Sequence, residues 1–313
     1  MQLFLIILGL LLVLFLYSKM RFKQAERRFP PEGQFVEVEG IKLHYLDRGK
    51  GRPVVLLHGG VLRGNDFKQV MDIGAARGYR MIAFDRPGYG WSDRPVKGKS
   101  QLTVTDQARL LHGAITKIGV EKPVMVGHSW SGLLVMTYAE LYPGQVAGVV
   151  PVAAGLYKEG YPAEKGDPLS LIVTAPVAGY WVMHILLATI GKILVRNIIK
   201  VTFAPEQVPA EYQQEVLALW PRPRQFRANR EDVLQFVPGA EKMAPKYAQL
   251  DIPAVIVAGE QDPFSTKEHS CRLHRELPAS VLIELPQAAH MIPHHHPGVI
   301  IKAVDTLIYH FKV

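Results

Sequence analysis

Cysteine is almost absent from this sequence, because Cys271 is the single thiol in 313 residues. One cysteine excludes an internal disulfide framework and is typical of a reducing compartment. The dinucleotide fingerprint GxGxxG and the zinc motif HExxH are also missing, so we expect no nucleotide cofactor and no metal. The adjacent histidines His294, His295 and His296 do not change this expectation, since three neighbouring side chains cannot all point at one ion.

Charged side chains are missing from the start of the chain, where Met1 to Ser18 contains no Asp, Glu, Lys or Arg. At ~1.5 Å per residue this apolar run is roughly 25 Å long, close to the thickness of a bilayer's hydrocarbon core. A cleaved signal peptide is the alternative, but the run lacks a basic start and a small-x-small cleavage site. We predict a single-pass N-terminal membrane anchor over residues 1–18 and a basic linker over 19–33.

Positive charge exceeds negative charge, with 36 Lys and Arg against 28 Asp and Glu. No basic tract interleaved with aromatic residues is present, so we expect no nucleic-acid partner. Lys19, Arg21 and Lys23 follow the anchor directly, which predicts a cytoplasmic location for the folded domain. The excess of positive charge also suits membrane lipids with anionic headgroups as partners.

Two further basic clusters lie in the second half of the chain. Lys192, Arg196 and Lys200 recur every four residues among Ile, Leu and Val, which fits a helix at a membrane interface or a packed helix with a solvated basic edge. A second cluster comprises Arg222, Arg224, Arg227 and Arg230. We expect this second cluster on a solvated loop and helix start, with an acidic headgroup as the alternative partner.

Short apolar runs that alternate with helical patterns predict an α/β fold with a mostly parallel central sheet flanked by helices. The runs are 53–57, 79–84, 123–126, 146–152, 253–258 and 280–285, and a hairpin at 35–47 precedes them. The alternation stops between Gly155 and Leu250, where the pattern is helical. We therefore predict a core formed by residues 34–155 and 251–313, with an inserted helical cap at 156–250.

The most informative stretch is Pro123 to Gly132, which has the sequence PVMVGHSWSG. An apolar strand leads through small residues into a helical segment, with Ser129 at the junction. This is the pattern of a nucleophile elbow, in which a strained turn exposes a serine hydroxyl. Ser131 stands where a second glycine is usual, and Gly132 follows it.

Polar residues also follow the other buried runs, at the sheet edge where ligands bind in folds of this type. They are His58-Gly59-Gly60 after the first run, Asp85 after the second, Glu260 and Asp262 after the fifth, and His290 after the sixth. For Asp85 and His58 we expect structural roles in turns. Glu260 is the nearest alternative to Asp262 as a carboxylate beside the histidine.

With these motifs in this order, the chain from about Phe35 onward resembles the capped branch of the α/β-hydrolase fold superfamily. The resemblance implies that Ser129 is the nucleophile, His290 the general base and Asp262 the residue that orients the imidazole. It also implies an oxyanion hole formed by the N–H groups of Gly60 and Trp130. Ala289 stands where the family commonly has glycine.

The resemblance predicts a hydrolase that acts through an acyl-serine intermediate. Its relatives with an elbow aspartate, the haloalkane dehalogenases and epoxide hydrolases, differ at the nucleophile. The apolar cap and the anchor favour a small apolar ester as substrate, with lipid or monoacylglycerol esters as a special case. Hydrolysis of C–C bonds or amides by the same triad remains an alternative, as does a catalytically silent ligand-binding protein.

Overall fold

The central sheet determines where the functional side chains lie. The computed structural model of the protein describes residues 1–61, 63–95 and 101–313. Over those residues the sheet has eight strands, namely β1 (Gln34–Val38), β2 (Ile41–Arg48), β3 (Arg52–Leu57), β4 (Tyr79–Phe84), β5 (Val124–His128), β6 (Gly148–Val152), β7 (Ala254–Gly259) and β8 (Ser280–Leu285). Their order in the sheet is β1-β2-β4-β3-β5-β6-β7-β8.

Strand direction agrees with the prediction from sequence. β1 and β2 form an antiparallel hairpin at the sheet edge, and β2 is antiparallel to β4. The remaining neighbours are all parallel. The predicted fold class, an α/β fold with a mostly parallel sheet, is confirmed.

Helices flank the sheet on both faces. The described helices are α1 (Gln2–Arg28), α2 (Lys68–Ala76), α3 (Val104–Lys117), α4 (Ser131–Leu141), α5 (Pro168–Thr174), α6 (Ala178–Leu186), α7 (Gly191–Phe203), α8 (Ala210–Leu219), α9 (Pro223–Met243), α10 (Thr266–Glu276), α11 (Ile292–His295) and α12 (Pro297–Phe311). Because side chains alternate along a strand, Val54 and Leu56 of β3 pack with α2 and α12, whereas Val55 and Leu57 pack with α3 and α4. This two-sided burial explains why the strands are continuous apolar runs.

Between β6 and β7 the described chain is helical, and we refer to α5–α9 as the cap. Its side chains form a separate apolar cluster that includes Phe203, Val216 and Trp220. The C-terminal half of α1 belongs to this cluster, through Ala25, Phe22 and Phe29. Helix α1 therefore continues through Arg28, into residues that the sequence pattern predicted as a linker. The reason is that the apolar residues 22 and 25 of the helix, and residue 29 directly after it, pack against the cap.

One expectation for the cap was wrong. Arg222, expected in a solvated segment, is only 3% exposed. It donates hydrogen bonds to the carbonyl oxygens of Leu219 and Gly90, and it pairs with Glu26 of α1 at 3.2 Å. The partners that bury it come from two other segments, which a local charge pattern does not reveal.

Helix α1 is the one described helix long and apolar enough to cross a membrane by itself. Helices α5 and α6, which meet at a bend of 100°, satisfy the same criterion only when counted together. The side chains of α1 from Leu3 to Leu16 are mostly exposed. By length and composition α1 fits either a membrane anchor or a signal sequence.

A buried ion pair joins the core to the cap. Arg86, which follows β4, and Asp232 of α9 are each 1% exposed, with Nη1 and Oδ2 2.5 Å apart. The other oxygen of Asp232 accepts hydrogen bonds from Gln107 of α3 at 2.8 Å and from Arg94 at 3.0 Å. The Arg86 guanidinium also lies over the rings of Tyr89 and Trp130. Both charges are thus fully compensated, as burial demands.

We predict that Asp232→Ala lowers the free energy of unfolding by roughly 3–5 kcal/mol, because it leaves the buried Arg86 guanidinium without a counter-charge. The matched control is Asp93→Ala, which removes an ion pair to Arg224 whose side chains are 52% and 39% exposed. That pair is worth less than about 1 kcal/mol. Urea unfolding followed by tryptophan fluorescence measures both variants, and equal losses would contradict the role given to the buried pair.

Candidate active site

Ser129 occupies a sharp turn between β5 and α4. Its φ of +55° lies in the left-handed region, which is strained for a residue with a side chain. Hydrogen bonds hold the turn, because the Ser129 N–H donates to Val152 O and the N–H groups of Gly132 and Gly155 donate to Ser129 O. The predicted strand-to-helix junction is therefore present.

The small residues of the motif are explained by close approaches. A Cβ at Gly127 would lie 2.3 Å from Ser131 O, and one at Gly132 would lie 2.4 Å from the Cβ of Ala154. Neither position has room for a side chain. Ser131, the departure from the usual motif, is fully buried and donates from Oγ to His58 O at 2.6 Å. Its hydroxyl thereby ties the elbow to the turn after β3.

The structure brings Ser129, His290 and Asp262 together. Ser129 Oγ lies 2.9 Å from His290 Nε2, and His290 Nδ1 lies 2.8 Å from Asp262 Oδ2. Since Asp262 can only accept when ionised, Nδ1 carries the proton and Nε2 is free to accept from the serine. Three residues distant in sequence thus form one hydrogen-bonded chain.

The environment of Asp262 keeps it ionised. Burial by itself would raise the pKa of this carboxyl, but the charge and hydrogen bond of the His290 ring, together with hydrogen bonds from Thr266 and Phe264, outweigh burial, and the pKa lies below its usual value. The N–H of Phe264 donates to Oδ1 at 2.9 Å, and the Thr266 hydroxyl donates to Oδ2. Hydrogen bonds to the charged form account for the remainder of the shift.

Gly60 and Trp130, the predicted oxyanion donors, both line the cavity beside Ser129. Within the described residues neither N–H donates to a protein acceptor. The C=O of Gly59 accepts from Arg86 Nη2 at 3.0 Å and from His58 Nδ1 at 2.9 Å. That carbonyl and the Gly60 N–H belong to one trans peptide and point in opposite directions. Arg86 therefore fixes the direction of the Gly60 N–H.

The cap completes the cavity, which has a volume of about 180 Å³. Its apolar lining includes Val61, Ile198, Trp220, Val233, Phe264 and Met291. Asn229 of α9 donates to Gly60 O at 2.6 Å. Arg230 also lines the cavity, but its guanidinium donates to Asn229 Oδ1 and to Asp167 Oδ2. A small, largely apolar chamber in which Arg230 is already paired suits a neutral substrate.

The other candidates from the sequence lie elsewhere. Glu260 is 39% exposed and lies 3.6 Å from Lys267, away from the histidine. Asp85 is buried, with His44 Nδ1 at 2.8 Å, and accepts from the N–H groups of Gly64 and Trp91. It therefore has the structural role expected of it.

The neighbouring histidines are structural as well. His58 accepts from the Arg86 N–H, and burial lowers its pKa to about 4. Burial lowers the pKa of His128 to about 3, and His128 donates from Nε2 to His290 O at 2.9 Å. Of the three adjacent histidines, His294 faces Asp66, His295 faces Gln207 O and His296 faces Glu206.

Sequence reasoning missed the groups that support the site from the cap. Asp232 and Asn229 lie in α9, which has no recognisable motif, so no signal pointed to them. Arg86 did carry a signal, because it follows a buried strand at the ligand-binding edge. In that segment the sequence pattern drew attention to the neighbouring Asp85, as a turn residue, and not to Arg86.

Comparison with known proteins identifies the family. Residues 54–303 match the family model described as "Alpha/beta hydrolase family". The chain is 26% identical over 286 residues to the uncharacterized hydrolase YugF of Bacillus subtilis, covering 90% of this chain and 97% of that protein. It is 23% identical to a 2-hydroxy-6-oxo-6-phenylhexa-2,4-dienoate hydrolase of Burkholderia cepacia, covering 83% and 88%.

A solved structure agrees with the sequence comparison. The fold is similar to that of a thermophilic esterase from Thermogutta terrifontis, with a TM-score of 0.68, 20% identity, and coverage of 89% of this chain and 99% of that one. The family model spans most of the chain, including the elbow, Asp262 and His290. This chain belongs to the alpha/beta hydrolase family and is a hydrolase.

Proposed function

We propose that the protein is a membrane-anchored serine hydrolase that cleaves carboxylic esters with an apolar part. The observation that carries the proposal is the contact of 2.9 Å between Ser129 Oγ and His290 Nε2, with Asp262 on the opposite ring nitrogen. A serine hydroxyl is a weak nucleophile at neutral pH, and a neutral imidazole positioned this way can take its proton during attack.

The reaction has two halves. Ser129 Oγ bonds to the ester carbonyl carbon as its proton passes to His290, and the resulting oxyanion accepts from the N–H groups of Gly60 and Trp130. The C–O bond to the alcohol then breaks, with His290 returning the proton to the leaving oxygen. Water attacks the acyl-serine by the same route, and the carboxylic acid leaves with Ser129 restored.

The cavity favours esters over the dienone acids cleaved by C–C hydrolases. A dienone acid carries a carboxylate, which needs an available cation when it is buried. Among the described residues that line the cavity, Arg230 is the one Arg or Lys side chain. Its guanidinium already donates hydrogen bonds to Asp167 and Asn229. An uncharged ester needs no cation in the site. We therefore favour ester hydrolysis over C–C hydrolysis as the activity of this protein.

Membrane anchoring through α1 is part of the proposal. Exposed apolar side chains are present on α1 and also on the cap, where they include Leu171, Val177, Trp181 and Ile193. Phe15 of α1 contacts Trp181 at 5.7 Å between ring centroids. Exposed apolar side chains on both elements, with α1 packed on the cap through Phe15, favour retention of α1 over its removal as a signal sequence. Lys and Arg after the segment favour the cytoplasmic side for the hydrolase domain.

Labelling by a fluorophosphonate probe tests the catalytic roles. We expect the wild type to label and Ser129→Ala not to label. Asp262→Asn should slow labelling by roughly 10³–10⁴-fold, because the imidazole loses its orienting carboxylate. Glu260→Gln is the matched control, and its rate should stay within about twofold, since an exposed pair is worth little. A well-folded wild type that fails to label would overturn the serine mechanism.

A substrate comparison tests the ester assignment. Monoacylglycerol and p-nitrophenyl esters of increasing chain length should be hydrolysed, with longer chains preferred because each buried CH₂ adds about 0.8 kcal/mol of favourable transfer. A phenyl-substituted dienone acid should be cleaved at least about a hundredfold more slowly, owing to its unpaired carboxylate. The reverse order of kcat/KM would favour C–C hydrolysis.

Membrane retention is tested by charge insertion. Leu8 and Leu12 are exposed on α1, and Leu8→Arg with Leu12→Arg should release the full-length protein from membranes, at about 2.5–3.5 kcal/mol per arginine. The control, Gln145→Arg with Gln287→Arg, adds the same charge at exposed positions of the core and should stay membrane-bound. Carbonate extraction and an intact mass of the N-terminus measure the result. A soluble wild type or a cleaved N-terminus would contradict the anchor.

A further inference from the structure

A second cavity lies where α1 meets the cap, remote from Ser129. It has a volume of about 300 Å³ and lies between α1, the segment that follows α6, and helices α7 and α8. We call it the anchor cleft and define it by Arg21 and Phe22 of α1 with Leu187, Lys192 and Leu217 of the cap. The hydrolase mechanism uses none of these residues.

The cleft contains positive charge without a counter-charge. Among the described residues, no carboxylate pairs with Arg21, Lys192 or the adjacent Arg196. Burial, together with the charges of Arg21 and Arg196, lowers the pKa of Lys192. Cations that repel one another in a partly buried cleft are stabilised by an anion placed between them.

The position of the cleft along α1 identifies the kind of anion. Arg21 lies one turn beyond Ser18, the end of the uncharged segment, which is ~5 Å along the helix axis. If the uncharged segment crosses the bilayer, this is the depth of the lipid phosphate groups. Apolar side chains also line the cleft, among them Phe22, Leu187 and Leu217. Cations beside apolar side chains match a phosphate attached to an acyl glycerol, whereas free phosphate would use only the cations.

We propose that the anchor cleft binds the headgroup of an anionic phospholipid. Arg21 and Lys192 donate hydrogen bonds to its phosphate oxygens, and Phe22 and Leu187 contact its glycerol and proximal acyl chain. The proposal rests on the membrane anchoring described under the proposed function. It adds a lipid site that is separate from the substrate cavity.

Native mass spectrometry of the full-length protein in detergent micelles tests the site. Phosphatidylglycerol and phosphatidylcholine with identical acyl chains are added separately, and the bound fraction is measured. Wild type should prefer phosphatidylglycerol. Arg21→Gln with Lys192→Gln should weaken that binding by about thirtyfold, since each cation contributes about 1 kcal/mol. The matched control, Lys23→Gln with Lys200→Gln, removes equal charge from exposed positions of the same two helices and should bind as wild type does.

Three results would overturn the lipid site. They are equal binding of the two lipids, equal weakening in both double variants, and displacement of phosphatidylglycerol by inorganic phosphate at the same concentration. Thermal unfolding and fluorophosphonate labelling of each variant verify that the fold is intact. Failure of the lipid site can be distinguished from failure of the proposed function, because binding in micelles requires neither an active serine nor carbonate-resistant anchoring. A labelled, membrane-retained protein without lipid preference would refute the site alone.

Discussion

The buried ion pair between Arg86 and Asp232 is the contact on which both the cap and the turn after β3 depend. One side of the Arg86 guanidinium is held by Asp232 of the cap, and the other side holds the Gly59 carbonyl of the core. Moving the cap helix would leave two buried charges uncompensated and would also release the peptide that presents the Gly60 N–H. A buried pair contributes little net stability compared with apolar packing. Its effect here is on geometry, because the same guanidinium fixes the position of the cap helix and the direction of the Gly60 N–H.

The turn at Ser129 is likewise held by contacts from several segments of the chain. Ser129 adopts a strained φ, and the strain is tolerated because Val152, Gly132 and Gly155 each contribute a hydrogen bond to its backbone. Ser131 adds a fourth link, to the turn after β3. A glycine at this position could not make that link. The departure from the usual motif therefore strengthens the connection between the Ser129 turn and the turn after β3, and it gives no support to a catalytically silent protein.

Sequence alone predicted the parts of the molecule that follow local rules. Strands buried on both faces are continuous apolar runs, so β3 to β8 could be located, and polar residues that follow such strands must meet at one sheet edge. Ser129, Asp262 and His290 meet there as expected, although their roles remain proposals. Asp232 and Asn229 could not be predicted, because a cap helix contacts the core through tertiary packing that has no sequence period. Arg222 was misjudged for the same reason, since Glu26 and Gly90 bury it from distant segments.

Helix α7 connects the two cavities of the cap. Lys192 lies at its start, in the anchor cleft, and Ile198 and Thr202 near its end line the substrate cavity. Six residues of helix separate Lys192 from Ile198, which is ~9 Å along a rigid axis. Helix α1 packs on α6 and α8, and α8 packs on α7. The position of α1 is therefore coupled through the cap to α7 and to one wall of the substrate cavity. Under the proposed anchoring, this packing would fix how the cavity lies relative to the lipid surface.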